Sequence, residues 1–346
     1  ASATVTQVRQ QADADIATSV ANINDLLSQF ENLNNQVIRG SSNGRDVTDV
    51  LDARDAVLKQ LSTEVGIRTV SRANGDMAIY TDSGVTLFDR APRAVTFEQT
   101  QNLAAGAPGG AVYADGVPIA GTSHILEIQS GKLAGLMSVR DDIAVTYQSQ
   151  LDEMARGLIN AFAETDQSAT PTLPAATGLF TYSGGPAIPA SAMAGLASSI
   201  KINASVDPGQ GGNAELIRDG GISGASYKYN SANAPAFTDR IQSLISSLNT
   251  GQTFDASTQL PASSSVMDYA KNSVSWLEAL RQSATAEADY RSTVAQRATT
   301  SLSQATGVNL DEEMTNLLDL ERTFQASSRL INTVNEMLST LIQSLS

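Results

Sequence analysis

The chain has 346 residues, of which 41% are hydrophobic and only 5% aromatic, a composition typical of a folded protein with an aliphatic, helical interior. Its 36 acidic and 22 basic residues give a net charge of -14, which argues against nucleic acid and membrane surfaces as partners because both are anionic. The lack of cysteine excludes disulfides and thiolate chemistry, and no apolar run reaches the roughly 18 residues of a membrane span.

Two amphipathic helices are predicted at the start of the chain. Apolar residues recur at intervals of seven along the first one: Ile16, Ile23, Phe30 and Val37. This spacing is a heptad edge of the kind that packs against another helix. A turn-rich stretch at 39–46 precedes a second helix with an apolar face, which closes at Gly66. The short connection favours an antiparallel helix pair.

The residues from 66 to 130 are predicted to form a small β-hairpin region. Short β-branched runs alternate with turns, and the pair Asn74-Gly75 between two of them is a strong hairpin signal. Residues 106–121 are rich in glycine and are predicted to be a loop, and 124–130 are predicted to close the sheet. Helical periodicity returns over 131–165.

The sequence predicts a mainly α fold with β insertions. Residues 166–263, rich in Pro, Gly, Ser and Thr, are assigned to an inserted, variable outer domain. Residues 1–165 and 264–346 are assigned to one discontinuous helical core. We expect an elongated helical bundle built from the N- and C-terminal helices, with the middle module looping out.

The last helix, 310–346, carries a long heptad row. Its positions are Leu310, Leu317, Phe324, Ile331, Leu338 and Leu345. A helix of about 35 residues is about 50 Å long, which exceeds the needs of a compact body. We expect the part up to Phe324 to pack on the helix that holds Ile16, Ile23 and Phe30. We expect the rest to pack on a helix that this sequence does not contain or on another subunit.

The stretch "GVNLDEEMTNLLDLERTFQASSRLINTVNEMLSTLI" resembles the C-terminal signature of the axial proteins of the bacterial flagellum: rod, hook and hook-associated proteins. Residues 33–70, 131–164 and 199–209 resemble the hook-associated proteins of the FlgK type, found at the hook-filament junction. The resemblance implies a fold like those of flagellins and hook-associated proteins, with terminal helices paired as coiled coils. It also implies that this chain lacks the N-terminal segment of the family.

The same resemblance implies partners and location. The partners would be other copies of the chain, the hook protein, the next hook-associated protein and an export chaperone at the C-terminal helix. Export would follow the flagellar type III route without a cleaved signal peptide, which fits an N-terminus without the basic and apolar regions of such a signal. The protein would then reside in the extracellular flagellum.

Candidate catalytic and metal-binding residues are few. The only histidine, His124, lies in a predicted strand edge, and one histidine without cysteine cannot make a His-based metal site. No Gly-x-Ser-x-Gly element supports a Ser-His-Asp triad around it. Adjacent acids such as Asp152 and Glu153 diverge on a helix, and we expect them at the solvated surface. We therefore predict no catalytic residue, cofactor or metal.

The leading hypothesis is a structural protein, not an enzyme, that connects hook to filament by helix packing between subunits. The alternative is an exposed adhesin or glycan-binding module, formed by 166–263 and carried on a flagellar scaffold. An enzyme within 166–263 ranks last, because this segment contains no histidine, cysteine or metal motif.

Overall fold

The computed structural model describes residues 1–121, 125–306 and 310–344. The chain forms two compact units, Ala1–Leu277 and Glu278–Ser346. Helix predominates in the described residues, and the strands form small antiparallel sheets, which confirms the predicted mainly α class.

The first unit begins with the two predicted helices, α1 (Ser2–Ser42) and α2 (Thr48–Glu64). The heptad residues Ile16, Ile23 and Phe30 of α1 are fully buried. Val57 and Leu61 of α2 are buried in the same hydrophobic cluster. The apolar edges found in the sequence are therefore what brings these helices together.

A four-stranded sheet with the order β1-β2-β3-β4 follows: β1 (Ile67–Ser71), β2 (Met77–Thr81), β3 (Thr86–Asp89) and β4 (Ala91–Pro92). The predicted hairpin at Asn74-Gly75 is present between β1 and β2. Both residues of the turn have positive φ, 59° and 74°, which Asn and Gly tolerate better than other residues.

A three-stranded sheet comprises β5 (Val95–Phe97), β6 (Val112–Ala114) and β7 (Val117–Ala120). Two strands thus lie within 106–121, where a loop was predicted, and that prediction was wrong. The turn Asp115-Gly116, with φ of 50° and 78°, connects them. No strand forms over 125–130, contrary to expectation, and His124 lies outside the described residues.

The helix predicted over 131–165 consists of α3 (Lys132–Ser138), one π-helical turn (Val139–Ile143) and α4 (Ala144–Ala161). One hydrophobic cluster joins α1, α2, α3 and both sheets. Its ring contacts include Phe30 against Phe88, with centroids 4.9 Å apart at an interplanar angle of 80°. This cluster is the main core of the unit.

The segment 166–263 contains mostly turns and short elements. These are β8 (Phe180–Thr181), α5 (Leu196–Ser199), β9 (Lys201–Ile202), α6 (Leu216–Asp219), α7 (Asp239–Asn249), β10 (Gln252–Thr253) and β11 (Ser263–Ser264). The segment lies in the same compact unit as 1–165. Its assignment to an inserted domain of its own remains a prediction.

Three buried carboxylates hold this segment to α4 and to the residues after it. Backbone N–H groups donate to each: Gly195 and Ala197 to Asp152, Asp255 to Glu153, and Gly221, Ile222 and Ser223 to Glu164. Asp152 and Glu153, expected at the surface, are only 4% and 1% exposed. The expectation was wrong because their partners lie 43 to 102 residues further along the chain.

Two long helices complete the chain, α8 (Val266–Thr306) and α9 (Leu310–Ser344). The first turns of α8 belong to the first unit, where Val266, Tyr269 and Ser273 are buried. The ring of Tyr269 stacks on Phe254 at 4.0 Å between centroids. The second unit consists of the rest of α8, α9 and the residues between and after them.

Candidate assembly interface

Helix α9 exposes a row of large apolar side chains, which we call the α9 seam: Leu310, Leu317, Phe324, Ile331, Leu338 and Leu345. Leu317, Phe324 and Ile331 are 68%, 75% and 62% exposed. Because the interval of seven is close to two helical turns, the three lie along one stripe of the helix. The side chains of Leu310 and Leu338, and the whole of Leu345, lie outside the part that the structure describes.

The residues around the seam on α9 are exposed as well. Every residue from 313 to 337 is exposed, including Leu320, Leu330, Val334 and Met337. Apolar faces of this size on soluble proteins mark sites of association, whereas single exposed leucines need no explanation. The geometry therefore supports the use of α9 in packing against another helix.

The α1 residues Ile16, Ile23 and Phe30, predicted as the other side of this contact, have different partners. Each is fully buried in the core cluster with α2, α3 and the two sheets. The rings of Phe30 and Phe88 meet in a T-shaped contact. These three side chains therefore stabilise the first unit internally. A role for them in packing between subunits is not needed to explain their heptad spacing.

A second exposed helical surface was not identified from the sequence. Every residue of α8 from 281 to 304 is exposed, and Tyr290, Val294 and Leu302 are 62%, 46% and 63% exposed. Most other residues on this part of the helix are alanine, threonine and serine, so the apolar signal is weak. The sequence signal that could have revealed this surface is the helical face that begins at Tyr269 and Ser273 and continues along α8.

Ion pairs on both helices are local and exposed. Glu287 accepts from Arg291 at 2.5 Å, and this hydrogen bond raises the pKa of the Arg291 guanidinium. Asp319 lies 3.9 Å from Arg322. Exposed ion pairs of this kind contribute little to the stability of α8 and α9.

The buried charges of the first unit have structural partners. Arg140 donates to Asp13, to Asp141 and to the carbonyl of Gly110. Burial lowers the pKa of the Arg140 guanidinium, but the hydrogen bonds that it donates to Asp141 and Asp13 outweigh burial, and the pKa is raised. Arg9 donates to the carbonyls of Arg140 and Ala104. These groups fix the loop near residues 100–110 to the helices.

Among the residues that the structure describes, no group of three or more His, Asp or Glu side chains could hold a metal ion. The two helices in the second unit therefore remain the strongest candidates for a functional surface.

Comparison with known proteins connects this surface to a family. The family model for the flagellar hook-associated protein FlgK helical domain matches residues 1–174, half of the chain. The chain belongs to the FlgK family of flagellar hook-associated proteins. A second model, the C-terminal region of flagellar basal body rod FlgEFG proteins, matches 302–344, which include most of the seam. Both resemblances predicted from the sequence are confirmed.

Curated FlgK relatives agree with this assignment. Flagellar hook-associated protein 1 of Bacillus subtilis is 25% identical, over 99% of this chain and 67% of that protein. Its counterpart in Salmonella typhimurium is 28% identical over 44% of this chain and 28% of that protein. The chain thus spans about two thirds of the first relative and less than a third of the second.

Among solved structures, the flagellar hook junction protein FlgK from Burkholderia pseudomallei matches 52% of this chain and 33% of its own. The two are 23% identical, with a TM-score of 0.40.

Membership of the FlgK family establishes the general function. The protein is a structural component of the external flagellum and associates with other flagellar components. None of the matches supports the alternative, an adhesin or glycan-binding module. No helix in the described ranges has the length and apolarity required to cross a membrane.

Proposed function

We propose that this chain is a subunit of the junction between hook and filament, and that it joins its neighbours through the α9 seam. The observation that carries the proposal is the exposure of Leu317, Phe324 and Ile331 on a helix in which no residue from 313 to 337 is buried. Membership of a hook-associated protein family supports this proposal.

The energy of the contact comes from burial of the seam. Each large aliphatic or aromatic side chain that moves from water into a packed contact contributes about 1.5–3 kcal/mol. An isolated helix without a partner is marginal, so part of this energy offsets the ordering of α9. Repeated contacts between different faces of neighbouring copies do not close into a dimer and can therefore build a helical tube.

The proposed partners are other copies of the chain, the hook protein and the next hook-associated protein. A chaperone that covers α9 before assembly would protect the same apolar face during export. Export by the flagellar type III pathway, without a cleaved signal peptide, completes the proposal. The role is structural throughout, and no catalysis is part of it.

The test replaces one seam residue in cells that depend on this protein for swimming. Ile331→Asp puts a charge into the contact and should abolish filament growth beyond the hook, as seen by electron microscopy and in motility agar. Thr333→Asp is the matched control: two residues along a helix correspond to about 200°, so it lies on the opposite face and should leave swimming intact.

Folding of the first unit provides the second readout. Because Ile331 is 62% exposed, the purified Ile331→Asp variant should unfold at the same urea concentration as the wild type. Normal filaments from the Ile331→Asp strain would show that the seam is not used in assembly.

A further inference from the structure

The chain contains two Asn-Gly pairs that are chemically alike. Asn43-Gly44 follows the end of α1, and Asn74-Gly75 lies in the turn between β1 and β2. All four residues are exposed. Asparagine followed by glycine is prone to spontaneous deamidation, because glycine has no Cβ to hinder the approach of its backbone nitrogen to the asparagine side chain. The dipeptide alone gives no reason to prefer one site over the other.

Deamidation joins the backbone nitrogen of the glycine to the side-chain carbonyl carbon, Cγ, of the asparagine. The new C–N bond forms as the glycine nitrogen gives up its proton, the Cγ–Nδ2 bond breaks, and the amide nitrogen leaves as ammonia. The product is a cyclic imide, a succinimide. Water then opens the ring at either carbonyl and gives aspartate or isoaspartate, so water is the only co-reactant.

Neither pair starts in the reactive arrangement. The backbone angle ψ is 6° at Asn43 and 25° at Asn74. A ψ near zero turns the following nitrogen towards the asparagine's own backbone nitrogen, whereas ring closure needs it on the side of Cβ and Cγ. Each site must therefore rotate its backbone before it reacts, and the reaction rate depends on the contacts that this rotation breaks.

Buried side chains hold the Asn74-Gly75 turn to both helices of the first unit. Arg54 of α2, 5% exposed, donates to the carbonyl of Gly75 at 2.7 Å. Asn34 of α1, 1% exposed, donates to the carboxylate of the next residue, Asp76, at 2.8 Å. Rotation at Asn74 would take the Gly75 carbonyl away from a buried guanidinium, and a buried charged donor that loses an acceptor is costly.

The Asn43-Gly44 pair is held only by the backbone of the helix end. Gly44 has a φ of 65°, and its N–H donates to the carbonyl of Ser41 at 3.3 Å. The N–H of Arg45 donates to the carbonyl of Gly40 at 3.0 Å, which completes a Schellman motif. Apart from its chain neighbours, no atom of the described residues lies within 4 Å of a Cβ built on Gly44. An exposed helix end of this kind frays at little cost, so rotation is easier here.

We propose that Asn43-Gly44 is a site of spontaneous deamidation, and that Arg54 protects Asn74-Gly75 from the same reaction. The product places a new negative charge at the C-terminal end of α1, where the helix dipole is already negative. Isoaspartate also lengthens the backbone between α1 and α2 by a methylene group. The inference does not rest on the proposed function, since neither site belongs to the α9 seam.

Peptide mapping by mass spectrometry tests the proposal on the intact protein after incubation at mildly alkaline pH. In the folded protein, deamidation at Asn43 should be at least roughly tenfold faster than at Asn74, because only Asn74 must break a hydrogen bond to a buried charge. In urea both sites lose their contacts, and the two rates should agree within about threefold. Equal rates in the folded protein, or faster reaction at Asn74, would overturn the proposed site. A difference that persists unchanged in urea would overturn it as well.

A variant tests the protection separately. Arg54→Met removes the hydrogen bond to Gly75 but keeps an unbranched side chain, so deamidation at Asn74 should accelerate about tenfold while Asn43 keeps its rate. The matched control is Arg68→Met, an exposed arginine on β1 whose loss should leave both rates unchanged. Near-UV circular dichroism shows whether each variant is folded. An unchanged rate at Asn74 in Arg54→Met would overturn the protective role of Arg54. If Arg54→Met does not fold, the wild-type rates in buffer and in urea still decide the proposed site, and Arg54→Lys takes its place in the test of protection.

Discussion

Replacement of Arg140 by alanine should strongly destabilise the first unit. Its guanidinium, fully buried, donates to Asp13 on α1 at 2.5 Å and to the carbonyl of Gly110 at 2.7 Å. It also donates to both oxygens of Asp141, at 3.0 and 2.7 Å. One side chain thus connects the π-helical turn, α1 and the loop before β6.

The size of the loss of stability follows from the contacts that Asp13 keeps in the Arg140→Ala variant. Asp13 would keep the backbone N–H of Thr100, at 2.9 Å, as a donor but would have no countercharge from residue 140. Removing one partner of a buried ion pair costs about 3–5 kcal/mol, because the other charge stays buried and uncompensated. For a unit of this size, 1 kcal/mol lowers Tm by about 2–4 °C, so we expect a decrease of roughly 6–20 °C.

Urea unfolding followed by near-UV circular dichroism measures this loss. Arg93→Ala is the matched control, because Arg93 and Asp115 form an ion pair at 3.2 Å with side chains 42% and 64% exposed. Exposed pairs contribute roughly 0–1 kcal/mol, so this variant should unfold close to the wild type. An Arg140→Ala variant no less stable than Arg93→Ala would refute the reasoning from buried charge.

Three further changes test other contacts. Asp152→Ala removes the acceptor for Gly195 and Ala197 and should make the chain near 193–197 sensitive to limited proteolysis; unchanged cleavage would contradict this. Burial raises the pKa of Glu164, so the wild type should gain stability relative to Glu164→Gln as pH falls from 7 towards 4.5, measured by urea unfolding. A difference in stability between the two proteins that does not change with pH would contradict the raised pKa of Glu164. Gly131→Ala should lower the free energy of unfolding by about 1–3 kcal/mol through backbone strain, measured by thermal unfolding. The reason is that φ of residue 131 is 92° and a Cβ there would lie 2.7 Å from the Cα of Val65.

The sign of the Glu164 effect follows from linkage. A carboxyl whose pKa is raised in the folded state binds its proton more tightly there than in the unfolded chain. Its contribution to stability is therefore present below the unfolded pKa and is lost as pH rises through the folded pKa. The charge of Arg240 acts in the opposite direction, but burial is the larger influence.

Local signals accounted for most of the elements predicted correctly. Heptad spacing identified α1, and the Asn74-Gly75 pair identified the first hairpin, because both signals depend on residues that are adjacent or about two helical turns apart. The Asp115-Gly116 turn obeys the same chemistry. It was missed because it lies in a glycine-rich stretch, where the β-branched alternation that marks strands is weak.

Non-local contacts were not visible in the sequence. Asp152 and Glu153 appear as two surface acids on a helix, yet their backbone partners belong to loops far along the chain. The burial of Arg140 depends likewise on Asp13, 127 residues away. A charged residue type indicates an exposed side chain only on average, because a charged side chain can also be buried when its hydrogen bonds are satisfied.

The heptads of α1 and α9 show what periodicity can and cannot predict. Both helices carry an apolar row at intervals of seven, and from the sequence we expected the two rows to meet. In the structure Phe30 is fully buried against the sheets of its own unit, whereas Phe324 is 75% exposed.

A heptad row determines which side of a helix needs a partner, because that property depends only on residues along the helix. The identity of the partner depends on every other surface competing for that side. For α1 the competitors were encoded within the next hundred residues, in α2 and the strands. For α9, the residues from 313 to 337 are all exposed in the described part of its unit, and this exposure is the observation on which the proposed contact between subunits rests.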